Sequence, residues 1–433
     1  MKKTIILGAG LSGLSTAYHL NKYNQKYSLY EKEDKVGGLS KSIKIKNFIF
    51  DYTGHFLHFK YDYTRNLVFK LLKNNIKKIK RKSTVYILNQ YIDYPFQINF
   101  KQLSNEKIVK ECEEGLLKAK GCKKYEIIET SNKNFEEWIY RNYGDGIAKY
   151  FMIPYNKKLW KIPLNKILLK GTSKYIPDTR KESRKESMEG YGYNVFFYYP
   201  DKGGIGVLPD SFANGLKNIY LNKEIETIDI GKKTIKTKNK IIDNYDYLVS
   251  TVPLPDLINM LEDVPSKIKK AGNSLKYISL IGFNLGIDRS NISPYHWIYF
   301  PENEFIFYRV GFYSNISSNL SPLKTSSLYV EVSFKPDKKI SKERLLKRIK
   351  DDLLKINILK KSDRFLVESL IEIKYAYVVF DLNYDKNLNL IMDFLKEKNI
   401  YPIGRYGRWT YSSMEDAILD GKMISEKIVY EKT

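Results

Sequence analysis

The amino-terminal residues have the types and spacing that can bind a dinucleotide. Gly8, Gly10 and Gly13, in the segment GAGLSG, lie between the apolar run TIIL and a helical pattern. Gly8 permits a tight turn, Gly10 lets the backbone approach a pyrophosphate, and Gly13 allows the helix to pack closely on the strand. The N–H groups at the start of that helix favour phosphate oxygens. Glu31 ends the second strand about twenty residues on, where a carboxylate can bind a ribose diol and would repel the 2′-phosphate of NADP. The neighbouring members of this predicted site are Leu11, Ser12 and Lys32.

A second glycine loop and a carboxy-terminal turn indicate that the dinucleotide is FAD. The segment VGGLSKS places Gly37 and Gly38 beside the expected pyrophosphate, as in many flavoproteins of the amine-oxidase type. An ordinary Gly-Gly turn is the alternative interpretation. In IGRYGRWTYSSMEDAI, Arg405 lies on a glycine turn where it could neutralise a phosphate. The following helix could present its first N–H groups to the ribityl chain or the flavin. The remaining predicted cofactor contacts are Leu39, Ser40, Met414, Glu415 and Asp416.

Composition limits the class of protein. The 433 residues are 43% hydrophobic and 14% aromatic, which is typical of globular rather than disordered chains. No segment reaches the roughly 18 unbroken apolar residues of a membrane span. The glycine-interrupted amino terminus is not typical of a signal peptide. We therefore expect a cytoplasmic protein, for which peripheral membrane contact and the oligomeric state are left open.

The charge and the metal-binding residue types argue against two further kinds of site. The net charge of +25 is spread along the chain in runs such as KLLKNNIKKIKRK, and no recognisable nucleic-acid-binding motif accompanies it. We interpret the charge as solvated surface that also concentrates anionic substrates. Two cysteines and four scattered histidines are too few for a disulfide framework or a zinc site. The sequence thus predicts neither a metal nor a nucleic-acid partner.

The order of the predicted elements indicates a discontinuous α/β fold. Residues 1–60 have a β-α-β pattern, residues 100–170 are helical, and strands dominate 275–335, including the run FIFYRVGFY. We predict a Rossmann-like FAD-binding domain of the amine oxidase and GDP-dissociation inhibitor superfamily, a helical subdomain, and a substrate domain built on an antiparallel sheet. The predicted boundaries are 1–80 with 200–255 and 395–433 for the FAD-binding domain, 100–175 for the helical subdomain, and 81–99 with 256–394 for the mixed substrate-binding sheet domain.

Segments along nearly the whole chain resemble UDP-galactopyranose mutases, especially those of the eukaryotic type. They are FDYTGHFLHF, YPFQINF, NFEEWIYRNYGDGIAKYFMIPYNKKLW, WIYFPENEFIFYRVGFYSN and GRYGRWTY, in this order. They are also similar to a bacterial group of amine-oxidase-like proteins associated with surface polysaccharides. The resemblance implies an FAD-dependent isomerase that interconverts pyranose and furanose forms of a nucleotide-activated sugar without net redox change. In that family reduced flavin attacks the anomeric carbon through N5 and displaces the nucleotide diphosphate.

The resemblance also implies roles for single residues. Arg309 matches the arginine that binds the pyrophosphate of the substrate, and a structural ion pair is the alternative. His55, after Gly54, matches the histidine beside the isoalloxazine, and a packed loop histidine is the alternative. Arg81 and Ser83 match positions near a reducing nicotinamide, which implies NAD(P)H as the reductant. Around the nucleotide and the sugar, where core packing is the alternative for each aromatic ring, the matching residues are Tyr94, Gln97, Asn156, Trp160, Trp297, Tyr299, Tyr377 and Tyr411.

Departures from the family pattern fall in the predicted sugar-nucleotide pocket. A second family arginine is missing from KGTSKYIPDTRKES, where Lys174 and Arg180 are candidate substitutes. A substrate tyrosine appears as Ile316, and YVVFD replaces the usual proline-rich stretch after Tyr377. Two further hypotheses therefore stay open. One is a redox flavoenzyme of the amine-oxidase or porphyrinogen-oxidase type with an uncharged substrate. The other is a flavin-free binding protein like the Rab GDP-dissociation inhibitors, against which the intact glycine motif counts.

Overall fold

The computed structural model describes residues 2–121, 134–170, 176, 195–237 and 240–430. Its strands are β1 Thr4–Leu7, β2 Tyr27–Tyr30, β3 Ser42–Ile45, β4 Phe48–Asp51, β5 Lys77–Lys80, β6 Ser83–Ile87, β7 Gln90–Asp93, β8 Phe196–Tyr199, β9 Ile219–Tyr220, β10 Thr227–Asp229, β11 Thr234–Thr237, β12 Lys240–Asn244, β13 Tyr247–Ser250, β14 Tyr277–Ile287, β15 Trp297–Tyr299, β16 Arg309–Phe312, β17 Ser326–Phe334, β18 Phe365–Val378 and β19 Ile400–Pro402. Its α-helices are α1 Leu11–Lys22, α2 Asp62–Leu72, α3 Phe96–Asn99, α4 Glu106–Gly121, α5 Phe135–Ile147, α6 Ile153–Trp160, α7 Val207–Ala213, α8 Leu254–Met260, α9 Ser266–Asn273, α10 Tyr313–Ile316, α11 Lys342–Lys355, α12 Tyr384–Glu397, α13 Gly404–Gly407 and α14 Met414–Tyr430. None of the helices in these ranges is both long and apolar enough to cross a membrane.

A five-stranded parallel sheet combines strands from the start, the middle and the end of the chain. Its order is β19-β13-β1-β2-β9. Ile6 faces a core that contains Leu14 of α1 and Ile418 of α14. Ile5 and Leu7 face a second core on the other side of the sheet. Both faces are covered, which explains why the strand TIIL is continuously apolar. The carboxyl end of β1 consequently meets the start of α1 at the glycine motif.

A seven-stranded mixed sheet lies in the order β18-β14-β17-β16-β15-β6-β7. Its neighbouring strands are antiparallel except for β15 and β6, which run parallel. The run FIFYRVGFY predicted a strand throughout, but the strand begins only at Arg309, because Phe305 and Phe307 turn into the core beneath the sheet. Arg309 therefore lies at the start of β16 rather than within it.

The two faces of this sheet differ in polarity. On β14 and β17, Phe283 and Val330 are register partners that pack in a core with Ile349 of α11. Successive residues point to opposite faces. The neighbouring residues therefore form a polar face on the other side, which consists of Asn284, Ser327, Tyr329 and Glu331. All four of these residues are at most 1% exposed. Buried polar groups in a sheet usually mark a ligand site or a hydrogen-bond network.

The helices α4, α5 and α6 pack against the edge of the mixed sheet. A core cluster joins Val85 and Ile92, from β6 and β7, to Phe135 and Ile139 of α5. A π-helical turn connects α5 to α6. Helix α6 carries the segment PYNKKLW and begins with a proline in its first turn, where a missing N–H costs nothing. This arrangement brings the predicted residues of α6 to the sheet.

Candidate functional site

The glycine turn between β1 and α1 is closed by the main chain and by Glu31. A Cβ atom at Gly13 would lie 2.0 Å from the carbonyl oxygen of Gly8, so only glycine lets the helix approach the strand this closely. Glu31 Oε2 accepts a hydrogen bond from the amide of Ala9 at 2.7 Å. Its Oε1 accepts one from the amide of Glu33 at 3.0 Å. The carboxylate is thereby fixed beside the turn, and each oxygen retains a lone pair for a ribose hydroxyl.

The second glycine loop lies directly on the first. The amide of Gly37 donates to the carbonyl of Ala9 at 2.8 Å. Gly37 and Gly38 have φ angles of +114° and +56°, a region that side chains rarely adopt. A Cβ atom at Gly38 would lie 3.3 Å from Cα of Gly10. Leu39 then packs against the core cluster that contains Tyr308 and Ile371, against which Tyr377 also packs. The loop therefore connects the dinucleotide turn to the mixed sheet.

The carboxy-terminal turn contacts the same helix start. A Cβ atom at Gly404 would lie 2.4 Å from the hydroxyl oxygen of Ser12. Arg405 Nη1 donates to the carbonyl of Ser412 at 3.0 Å, and its Nη2 donates to the carbonyl of Ala376 at 3.1 Å. The main chain thus holds this guanidinium in place. Its predicted contact with a phosphate stays a prediction.

The two acidic side chains at the start of α14 bind the protein's own backbone. Glu415 accepts hydrogen bonds from the amides of Lys60 at 2.9 Å and Tyr61 at 3.0 Å, and from the hydroxyl of Thr64. Asp416 accepts from the amide three residues before it at 2.8 Å, as a helix cap does. A cofactor bound at the start of α14 would therefore contact the backbone N–H groups of the helix rather than these two carboxylates.

The space above the glycine turn fits a dinucleotide phosphate. A Cβ atom at Gly10 would meet no heavy atom within 4 Å, in contrast to one at Gly13 or Gly38. This space adjoins the start of α1, whose first turn has no acidic residue. Helix starts of this kind bind phosphates, so FAD fits the residues present, with Glu31 at the ribose. Among the other predicted contacts the structure buries Leu11, Ser12 and Ser40, half-buries Leu39 and Met414, and exposes Lys32.

The loop after β4 holds His55 in a constrained position. Thr53 has a φ of +66°, which is unusual for a β-branched residue. A Cβ atom at Gly54 would lie 2.4 Å from the hydroxyl oxygen of Tyr329. Burial lowers the pKa of His55 to about 4, and the charge of Arg405 acts in the same direction. The imidazole is therefore uncharged at neutral pH.

Arg309 forms an ion pair with Glu331 across neighbouring strands. The two residues are register partners on β16 and β17. Arg309 Nη2 donates to Oε1 at 2.8 Å and Nε donates to Oε2 at 2.5 Å. The arginine side chain is 22% exposed and the glutamate 1%. Burial opposes the charge, but Glu331 outweighs it and raises the pKa of Arg309 well above its ordinary value. The pair fixes the guanidinium and leaves Nη1 outside the ion pair.

Several of the predicted aromatic residues pack against one another and against Arg405. Tyr377 stacks on Tyr411 with ring centroids 6.2 Å apart, and its hydroxyl lies 3.0 Å from that of Tyr308. The guanidinium of Arg405 lies 4.1 Å from the centroid of Tyr411. Trp160 meets Tyr377 edge-on at 6.0 Å. The structure therefore brings these predicted residues together.

The same band of rings continues towards β6. Tyr155 meets both Tyr308, at 6.1 Å, and Tyr299, at 5.6 Å. Tyr94 lies 4.8 Å from Tyr299, and the guanidinium of Arg81 lies 4.9 Å from the centroid of Tyr94. We call the set Tyr94, Tyr155, Tyr299, Tyr308, Tyr377 and Tyr411 the tyrosine band. It extends from Arg81 to Arg405.

Several buried polar atoms near the tyrosine band have no hydrogen-bond partner among the described residues. They are Ser83 Oγ, Gln97 Oε1, Trp297 Nε1 and Tyr329 Oη. The amide of Asn156 is satisfied by the carbonyl of its own helix at 2.8 Å. Because buried polar groups are nearly always paired, the unpaired atoms indicate that water or a ligand completes this region.

Sequence reasoning missed three residues that organise the site: Glu331, Tyr155 and Tyr308. A lone acidic residue in the apolar strand SLYVEVSF was a usable signal for the first. The two tyrosines had no signal of their own among 36 tyrosines. Ile316, at the position of a family tyrosine, is buried in the core with Phe48 and Tyr313. Lys174 and Arg180, the candidate substitutes for the second arginine, lie outside the described residues.

Comparison with known proteins places this geometry among flavoproteins. A reduced UDP-galactopyranose mutase superposes with a TM-score of 0.89 at 27% identity, over 100% of this chain and 96% of that one. Cyclohexylamine oxidase from Brevibacterium oxydans IH-35A superposes with a TM-score of 0.71 at 12% identity, over 99% of each chain. A fatty acid isomerase from P. acnes superposes with a TM-score of 0.69 at 14% identity, over 98% of each chain. The last two show the fold alone.

Sequence comparison identifies the family. A 1-hydroxycarotenoid 3,4-desaturase from Flavobacterium sp. (strain P99-3) is 41% identical over 51 residues, which cover 12% of this chain and only 10% of that protein. The family model of flavin containing amine oxidoreductases matches residues 11–429. The predicted fold class and resemblance are confirmed, and the family implies a flavin cofactor. The chain belongs to the family of flavin containing amine oxidoreductases.

Proposed function

We propose that the protein is an FAD-dependent mutase that interconverts pyranose and furanose forms of a nucleotide-activated sugar in surface polysaccharide synthesis. The observation that carries the proposal is the ion pair of half-buried Arg309 with buried Glu331 beside the tyrosine band. A departing diphosphate gains negative charge, and a fixed cation stabilises it and holds it in place for its return. A guanidinium held by a carboxylate loses little freedom when it binds. The likeness to the reduced mutase over the whole chain supports the same assignment.

FAD, bound at the glycine loops in its reduced form, would supply the nucleophile for the anomeric carbon. Arg309 would stabilise the charge that develops on the departing diphosphate. Tyr377 would donate to a phosphate oxygen, because burial raises the pKa of its hydroxyl well above the ordinary value and keeps it protonated. Uncharged His55 would add no competing charge beside the flavin. The tyrosine band would exclude water, which could otherwise capture the sugar cation.

Turnover of sugar nucleotides tests the proposal. The FAD-loaded protein is incubated without oxygen with UDP-galactopyranose and a panel of UDP- and dTDP-hexoses, before and after reduction by dithionite or by NAD(P)H, the proposed reductant at Arg81 and Ser83. Furanose products should form only after reduction. R309K should lose most of this activity, because an ammonium lacks the planar fork. R289K is the matched control, since Arg289 pairs with Asp363 at similar burial elsewhere. Failure with every sugar nucleotide in both redox states contradicts the proposal.

A redox flavoenzyme of the amine-oxidase or protoporphyrinogen-oxidase type is the second candidate. The family of flavin containing amine oxidoreductases, to which the chain belongs, favours it. So does the missing second family arginine, because an uncharged substrate needs no second cation. This candidate predicts that an amine or a porphyrinogen bleaches the flavin and that oxygen is consumed. If neither substrate class bleaches the oxidised protein, the redox candidate is excluded for those classes and the mutase proposal is strengthened.

A further inference from the structure

Asp51 is a buried carboxylate at the end of β4, four residues before His55. It is 1% exposed. Its Oδ1 accepts hydrogen bonds from the hydroxyl of Ser42 at 2.6 Å and from the amide of Ile205 at 3.2 Å. Its Oδ2 accepts one from the hydroxyl of Tyr199 at 2.6 Å. All three of these donors are neutral, so the carboxylate serves as a hydrogen-bond centre rather than as half of an ion pair.

The three donors belong to different segments around the predicted cofactor site. Ser42 follows the second glycine loop, Tyr199 ends β8, and Ile205 follows the turn after β8. The segments are packed closely at Gly204, which has a φ of +75°. A Cβ atom there would lie 2.9 Å from Asp51 Oδ1. One carboxylate therefore joins the second glycine loop, the turn after β8 and the loop that carries His55.

The loop beyond Asp51 depends on its surroundings for its shape. The hydroxyl of Tyr313 donates to the carbonyl of Asp51 at 2.9 Å. Two residues later, Thr53 takes a left-handed conformation, which is strained for a β-branched residue and persists only where neighbours impose it. Asp51 is the residue at which this strained segment starts. Its hydrogen bonds therefore fix the start of the loop that carries His55.

We propose that Asp51 is a positioning residue that locks the loop of His55 against the second glycine loop and so sets the place of the imidazole beside the bound flavin. The inference rests on the proposed position of His55 beside the flavin and does not require a sugar-nucleotide substrate. Burial raises the pKa of Asp51 to about 6, although all three donors lower it. Burying a carboxylate is costly unless it is hydrogen-bonded, and the three donors that hold Asp51 offset this cost.

The variant D51N tests the inference. Asparagine keeps the shape but turns an NH₂ group towards donors that need an acceptor. We expect D51N to retain FAD but to shift the absorbance spectrum of the bound flavin. Its kcat should fall on the order of 10- to 100-fold, because the imidazole is misplaced. The Kd for UDP should stay within about twofold of the wild-type value, because Arg309 is untouched. An unchanged flavin spectrum, or equal losses in UDP affinity and kcat, would overturn the proposal.

Two further variants keep the test decisive. D352N also alters a fully buried carboxylate, which accepts from the amide of Ile306 at 2.8 Å in another core, and it should lose stability without a spectral shift. Y199F removes one donor to Asp51 and should shift the spectrum in the same direction as D51N, to a smaller extent. If D51N does not fold, an unshifted Y199F spectrum overturns the proposal. The spectra are recorded without substrate, so failure of the mutase proposal does not affect this result.

Discussion

Arg309 and Glu331 form an ion pair to which we assign a role in binding as well as in stability. Their cross-strand register lets the carboxylate hold the guanidinium through two hydrogen bonds. The alternatives considered from the sequence, a structural ion pair and a diphosphate-binding arginine, are therefore compatible. A substitution in this ion pair should therefore change substrate binding and stability together.

The variant E331Q tests whether this ion pair orients a substrate-binding arginine or only stabilises the fold. Without the second carboxylate oxygen Arg309 loses its fixed orientation, and we expect the KM for the nucleotide sugar to rise about tenfold. The unfolding free energy should fall, by less than the roughly 3–5 kcal/mol expected when a partner of a buried pair is removed. Steady-state kinetics and urea unfolding measure the two effects.

D363N provides the matched control for that variant. The pair of Arg289 and Asp363 has side-chain exposures of 24% and 1%, against 22% and 1% for Arg309 and Glu331. D363N should lower stability and leave KM unchanged. If D363N raises KM as much as E331Q does, the effect is general and the assigned role of Glu331 is wrong.

At the scale of elements, the start of α1 combines two glycines with different tasks. Gly13 lets the helix approach β1, whereas Gly10 leaves open space above the first turn. The start of this helix therefore has one position where packing requires glycine, Gly13, and one, Gly10, to which we assign the space for the ligand.

Alanine at these two glycines should give opposite results. G10A should fold with nearly wild-type stability but bind FAD at least about tenfold more weakly, because its methyl group occupies the pyrophosphate space. G13A should be destabilised by about 2–4 kcal/mol, because its Cβ would meet the carbonyl of Gly8. Flavin content after purification and thermal unfolding of the flavin-free protein distinguish them. Wild-type flavin content in G10A would show that the dinucleotide lies elsewhere.

At the scale of the whole molecule, we expect buried and half-buried histidines to dominate the response of stability to pH. Burial lowers the pKa of His55, His58 and His296 to about 4 each. The unfolded chain therefore binds more protons between pH 6.5 and 4, and stability falls as pH falls through that range. Asp51 opposes this trend because burial raises its pKa to about 6. We expect a net loss of up to about 4 kcal/mol between pH 7 and pH 5.

Urea unfolding at pH 7 and pH 5 measures this loss. H296N should reduce it by up to about 2 kcal/mol, because asparagine does not titrate in this range. An unfolding midpoint that is independent of pH would contradict the assigned pKa shifts.

The glycine turn at the cofactor site could be predicted from the local spacing of its residues. Contacts between residues far apart in the chain could not be predicted in this way. Gly8, Gly10, Gly13 and Glu31 lie within one β-α-β unit, so the turn and the close packing of its helix on its strand could be predicted from the sequence. The partner of Arg309 depends on the register of two strands, which composition and periodicity do not specify. The carboxylate of Glu415 binds amides of residues 60 and 61, far away in the chain, for the same reason. The domain boundaries and the roles of the site residues stay predictions.

The proposed mutase must cleave and re-form the bond between the anomeric carbon and the diphosphate of its substrate. Positional isotope exchange detects this cleavage, with UDP- and dTDP-hexoses that carry ¹⁸O at the anomeric bridging oxygen. With the reduced protein, the label of the true substrate should scramble into the non-bridging positions of the diphosphate, and R309K should suppress the exchange. With the oxidised protein the label should stay in place. A label that stays in the bridge for every sugar nucleotide, with reduced FAD demonstrably bound, would contradict the account.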